Sequence, residues 1–160
     1  DGVAEVPPDV VLAFVFERHG KGGGKGFAFV RGYGLSKGAC ATTVAHDAHN
    51  LLVLGKEPSS MVSAANAVID SGGGLAVARG QSVTHHVPLP IAGLMSDEPL
   101  LDISFALEKL EKGLKQLGVV HTNPLLFLVM LTLAVSPKYK VTDGGLVDVE
   151  RQAIMPLVVV

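Results

Sequence analysis

Apolar positions recur along this chain with two different periods, and the switch between them marks out its elements. Val10 to Glu17 is a run rich in Val and Phe, followed by the glycine-loaded stretch Gly20-Lys21-Gly22-Gly23-Gly24-Lys25-Gly26. A strand, a flexible turn and a hairpin partner over Phe27 to Tyr33 are predicted. Ala39 to Ala45 and Leu51 to Leu54 read as the next two strands, joined through a polar segment. From Pro58 to Ser71 the period changes, with Met61, Ala64, Ala65, Val68 and Ile69 on one helical face and Gly72 as a left-handed stop. Leu75 to Ala78 and Val83 to Leu89 return to strand, turning at Arg79-Gly80-Gln81. His85 and His86, adjacent in the second of these, point to opposite faces, one at the surface and one half-buried.

Two further helices follow. Ser96-Asp97-Glu98-Pro99 carries start signals, namely a capping side chain, acids for the first turn and an early proline. Ile103, Leu107, Leu110, Leu114 and Leu117 continue at three- and four-residue spacing until Gly118. Asn123-Pro124 opens an apolar helix that Ser136-Pro137 closes, and Tyr139 to Val141 and Ile154 to Val159 read as closing strands. The order predicts a single α+β domain over residues 1–160, with a mixed or mostly antiparallel sheet packed against about three helices.

Composition narrows the class. With 160 residues, of which 48% are hydrophobic, the chain is long enough to hide about two thirds of its unfolded surface without staples. A net charge of −2, with no Trp and two Tyr, gives no basic face and no aromatic-basic interleaving, so nucleic acid is not expected as a partner. The lone Cys40 sits in an apolar run and reads as a small buried hydrophobe, consistent with a reducing, cytoplasmic setting. Pro124 to Val135 is too short an apolar stretch to cross a bilayer, so no membrane role is expected. Asp1-Gly2-Val3-Ala4 lacks a leading Met, and the chain is expected to be a piece of something longer.

The densest group of chemically capable side chains is His46-Asp47-Ala48-His49-Asn50, at the end of the third strand. As a continuing strand it places Asp47 and His49 on one face and His46 on the other. As a helical turn it brings His46 and His49 onto one surface. Two imidazoles and a carboxylate can hold a divalent metal, orient a bound base or move a proton near neutral pH. The competing reading is a strand end tied off by backbone hydrogen bonds. Ser96 and Asp97 likewise either cap their helix or face a ligand from its N-terminus.

Signatures of several enzyme classes are missing. The glycine turn lacks the Walker spacing, and Gly72-Gly73-Gly74 follows a helix, the reverse of the dinucleotide order. There is no Gly-x-Ser-x-Gly elbow, no Cys-x-x-Cys pair and no cytidine-deaminase zinc pattern.

A resemblance is carried by several segments taken together: Glu17-Arg18-His19; Gly32-Tyr33-Gly34-Leu35; Ala41 through Asn50; Pro88-Leu89-Pro90-Ile91-Ala92-Gly93-Leu94-Met95-Ser96-Asp97-Glu98-Pro99; and Thr142-Asp143-Gly144-Gly145-Leu146-Val147-Asp148-Val149. In this order, and over nearly the whole chain, they resemble the C-terminal domain of bacterial and archaeal adenine deaminases, members of the amidohydrolase superfamily. The chain departs at Ala48, where the family is expected to carry Ser, and in the closing tail.

The resemblance implies hydrolytic deamination of adenine to hypoxanthine and ammonia at a divalent metal centre (Mn, Fe or Zn) inside a (β/α)8 barrel. This chain has neither the length nor the strand–helix repeat to form that barrel. It is therefore expected to be an accessory domain that completes or caps the site, with the barrel and adenine as partners, self-association into a homo-oligomer as a further expectation, and little or no activity alone. Candidate catalytic residues are Asp47, His49 and His46. Candidate substrate-binding residues are Asn50, Glu17, Arg18, His19, Ser96 and Asp97, and His46 and His49 are the weak metal candidates. Two alternatives stand beside this reading: a stand-alone metal- or ligand-binding module, and a purely structural or oligomerisation domain.

Overall fold

The computed structural model describes residues 6–157. Nine strands and three helices are described: β1 (Val10–Phe16), β2 (Lys25–Arg31), β3 (Ala39–Thr42), β4 (Leu51–Gly55), α1 (Pro58–Asp70), β5 (Gly74–Arg79), β6 (Ser82–Pro88), α2 (Leu100–Gln116), α3 (Pro124–Leu131), β7 (Tyr139–Thr142), β8 (Gly145–Asp148) and β9 (Ala153–Met155). Six strands form one sheet in the order β2-β1-β4-β3-β5-β6, and β7-β8-β9 form a second. Every named strand pair is antiparallel, so the α+β expectation holds and the main sheet is antiparallel throughout.

The period-2 pattern explains the layers. On β3 and β4, Ala39, Ala41, Leu51 and Val53 face one side, where Met61, Ala64 and Val68 of α1 cover them. Cys40, Leu52 and Leu54 face the other, joining Val15, Val77 and Val87 in a core closed by Leu110 and Leu114 of α2 and Leu128 of α3. Burial of some twenty apolar side chains there is the main favourable term in folding. Cys40 is buried in this layer, and burial pushes its thiol up to about 12, so it packs rather than reacts.

The second sheet lies against β2. A side chain on Gly26 would overlap the Thr142 carbonyl, so glycine is what lets the β7–β8 hairpin approach. The helix α3 is apolar on every side, yet only Pro124 and Leu128 are buried in it.

Several element boundaries differ from expectation for local reasons. Glu17 lies beyond the end of β1, drawn into the following loop by the backbone N–H bonds its carboxylate accepts. Tyr33 lies beyond β2, fully buried, with its hydroxyl donating to the Pro124 carbonyl at 3.4 Å. The strand β3 stops at Thr42, whose Oγ1 accepts from Val44 N at 2.9 Å and turns the chain out of the ladder. The helix α2 opens at Leu100 with Pro99 in the capping position and no side-chain cap. Ser96 Oγ instead accepts from Glu98 N at 3.2 Å, and the residue before a proline is disfavoured in helix. The helix α3 ends at Leu131, earlier than Ser136-Pro137 suggests. The strand β8, not anticipated, pairs between β7 and β9. Of the expected strand Ile154–Val159, Ile154 and Met155 belong to β9, while Val158 and Val159, like Asp1 to Ala4, lie outside the described residues.

Candidate functional site

Antiparallel register gathers distant loops at one end of the main sheet. Phe16 pairs with Leu51 and Thr42 with Leu75, so the loop after β1, the connection from β3 to β4 and the segment leaving β6 emerge side by side. The polar residues singled out from the sequence lie largely on these loops.

Several have a definite structural task. The Glu17 carboxylate accepts from the backbone N–H groups of His19, of Lys21 at 2.9 Å and of Gly23 at 3.3 Å, thereby folding the glycine-rich loop around itself. Partial burial would raise its carboxyl, but these donors outweigh that and hold it below the usual carboxylate range. Arg18 reaches sideways: Nε donates to the His49 carbonyl and a terminal nitrogen to the Ala92 carbonyl, each at 2.6 Å. Its backbone N–H donates to Asn50 Oδ1 at 3.4 Å. A Cβ at Gly93 would lie 2.5 Å from that guanidinium, so only glycine leaves room for it. His19 Nε2 donates to the Ala48 carbonyl at 2.7 Å.

His46 to His49 form a turn, neither the continued strand nor a helix, with His49 N–H donating to the Ala45 carbonyl at 2.8 Å. The two imidazoles still meet edge to face with centroids 5.0 Å apart, as the helical alternative anticipates. His49 Nδ1 is buried with no partner in hydrogen-bonding geometry. Burial, then the neighbouring His46 and Arg18, lower the affinity of His49 for a proton more than Thr43 and Asp47 raise it. The ring is thus biased toward the neutral form, which can accept a proton.

Asp47 is exposed and lines a cavity of about 180 Å³ with His46, Asn50, Thr132, Thr142 and Asp143. Asp143, at the tip of the β7–β8 hairpin, is a candidate that sequence reasoning did not select. The Asp143-Gly144 turn signal was present, but almost a hundred residues separate it from Asp47. Ser96 and Asp97 sit on the segment entering α2 and do not line this cavity. Among the described residues, no group of three or more His, Cys, Asp or Glu comes together that could hold a metal ion. His46 and His49 alone do not make a metal centre of the kind a divalent ion requires.

Residues 1–153 match the family described as the adenine deaminase C-terminal domain. The chain belongs to that family. Curated relatives agree: it is 44% identical over 151 residues to an adenine deaminase of Clostridium botulinum (strain ATCC 19397 / Type A), covering 94% of this chain and 25% of that protein. An adenine deaminase of Oleidesulfovibrio alaskensis is 47% identical over 155 residues, covering 97% of this chain and 27% of its own length. Adenine deaminase 2 of Shouchella clausii is 44% identical over 151 residues, with shares of 94% and 26%. This adenine deaminase C-terminal domain therefore spans about a quarter of the length of the curated relatives it matches. Among its described residues no helix is long and apolar enough to cross a membrane.

Proposed function

We propose that this chain is the accessory C-terminal domain of an adenine deaminase, and that it completes or caps an active site housed in a separate (β/α)8 barrel. The reaction is hydrolytic deamination of adenine to hypoxanthine and ammonia. The observation that carries this reading is the family match over residues 1–153, joined to relatives of which the matched segment makes up about a quarter and which bear the name adenine deaminase.

Replacing an exocyclic amine by oxygen requires proton transfers: water loses protons and the departing nitrogen gains them. A positioned imidazole or carboxylate is suited to that traffic near neutral pH. His49, biased toward its neutral form, and the exposed Asp47 are the groups of this chain that serve it, with His46 at the edge of the His49 ring. Arg18, His19, Glu17 and Asn50 act on the loops rather than on adenine, since their bonds are made to backbone or to each other. Ser96 shapes the entry to α2 by accepting from Glu98 N, and Asp97 lies beside it on the same segment.

The divalent metal implied by the family resemblance belongs to the barrel. The donor set of this chain does not fit it, because the described His, Cys, Asp and Glu residues do not converge, and no step is routed through a metal here.

The test uses a full-length adenine deaminase carrying this domain. Asp47→Asn and His49→Gln are each expected to lower turnover by about a hundredfold with the melting temperature of the enzyme unchanged. Wild-type turnover in both variants would reject the role of these side chains in the reaction.

A further inference from the structure

The end of the sheet that presents the polar loops also presents apolar side chains to solvent. Leu100 is 82% exposed, Leu101 70%, Val135 76% and Met95 56%, all on segments that start or finish at this end. The opposite end carries Arg31, Lys37, Lys56, Arg79 and Lys115, with Val120 its most exposed apolar residue. Large apolar side chains left exposed together at one end of a domain, with acidic residues beside them, mark a docking surface rather than a free one.

Two observations sharpen this. Between α2, α3 and the sheet lies a cleft of about 300 Å³ edged by Val44, Leu94, Ile103, Leu107, Leu125 and Val129, with Thr42 as the sole polar residue in its lining. The helix α3 beside it is apolar all round while Leu126 and Met130 face solvent, and such a helix is normally covered on both sides. Flanking the exposed leucines, Asp97, Glu98 and Asp102 take part in none of the three described ion pairs.

We propose that this end of the domain is the surface on which the larger, catalytic portion of an adenine deaminase seats, with an apolar side chain of that portion filling the α2–α3 cleft. Basic residues on the same partner surface meet Asp97, Glu98 and Asp102. The inference rests on the accessory-domain reading and adds to it the face that docks. The occupant follows from two facts. The relatives carry about three quarters of their length outside the matched segment, and the polar loops that the reading turns toward a reaction centre emerge at this same end of the sheet. A second copy of the domain fits less well, since a twofold contact places two acidic rims on one interface.

The test is amide hydrogen exchange on the Clostridium botulinum enzyme with its matched segment replaced by this chain, compared with this chain alone. Residues 94–107 and 124–131 are expected to exchange about tenfold more slowly in the hybrid. Leu101→Asp and Leu126→Asp, both at exposed positions, should abolish that protection while leaving the melting temperature of the isolated chain unchanged. Equal exchange in the two settings overturns the proposal. So does protection confined to the exposed Phe16, Phe27 and Phe29 of the β1–β2 face, or protection of the isolated chain that grows with its concentration together with a dimer mass. If the hybrid does not fold, exchange in the full-length Oleidesulfovibrio alaskensis relative at the aligned positions decides: slow exchange supports the surface, and exchange as fast as in exposed loops rejects it. Ammonia release, which tests the accessory reading, is measured separately, so either idea can fail without the other.

Discussion

Arg18 and His49, thirty-one residues apart, are joined by a 2.6 Å hydrogen bond from the Arg18 guanidinium to the His49 backbone carbonyl. The same guanidinium holds the Ala92 carbonyl, so one side chain ties three loops together beneath the candidate site. The position of the His49 ring is therefore set by a residue that does not itself touch the cavity beside Asp47.

Removing that tie should loosen the site. Arg18→Ala loses two charge-assisted bonds and is expected to cost about 2 kcal/mol, read as a shift in the urea midpoint. Arg18→Lys, which cannot span both carbonyls with one planar fork, should recover only part of this. An unchanged midpoint for Arg18→Ala would show the bonds contribute nothing.

His49 and His86 should give the domain a particular acid response. Burial is the leading cause that lowers the proton affinity of both rings below the ordinary 6.5. The unfolded chain then binds more protons than the folded one once pH falls below about 6.5, so stability is complete above that value and declines as pH drops toward the folded pKa. Melting temperatures measured from pH 8 to pH 5 should fall on the acid side, and His49→Gln combined with His86→Gln should flatten that decline. A slope identical to wild type would refute the assignment.

Docking of the β7–β8 hairpin depends on Gly26, where any Cβ overlaps the Thr142 carbonyl. Gly26→Ala is expected to destabilise the domain by about 2–3 kcal/mol and to speed amide exchange over residues 139–148, displacing Asp143 from the cavity shared with Asp47. Wild-type exchange in that hairpin would mean the close approach is dispensable.

Leu114, fully buried where α2 meets the sheet, offers a control distant from the polar loops. Leu114→Ala should cost about 2–5 kcal/mol by opening a cavity, while leaving turnover of the folded full-length enzyme at the wild-type level. A selective loss of turnover would tie the core layer to the site more directly than the geometry does.

What the sequence determined by itself is local. Short apolar runs over Ala39 to Thr42 and Leu51 to Leu54, and three- and four-residue spacing from Met61 to Val68 and from Ile103 to Leu117, specify strands and helices, and each residue's face then follows from the backbone period. The pairing of His46 with His49 was only one of two alternatives open in the sequence, and the turn over His46 to His49 decided it. The ordered segments that carry the family resemblance were plain. Tertiary structure decided the rest. Whether Ser96 caps a helix depends on where Pro99 lets that helix begin, and whether Glu17 ends a strand depends on three N–H groups across its own loop. Asp143 joins Asp47 only because Gly26 admits the hairpin, and Arg18 finds His49 only because antiparallel pairing returns β4 beside β1. Such partners are fixed by long-range register and close approach, and neither is encoded in the spacing of any one segment.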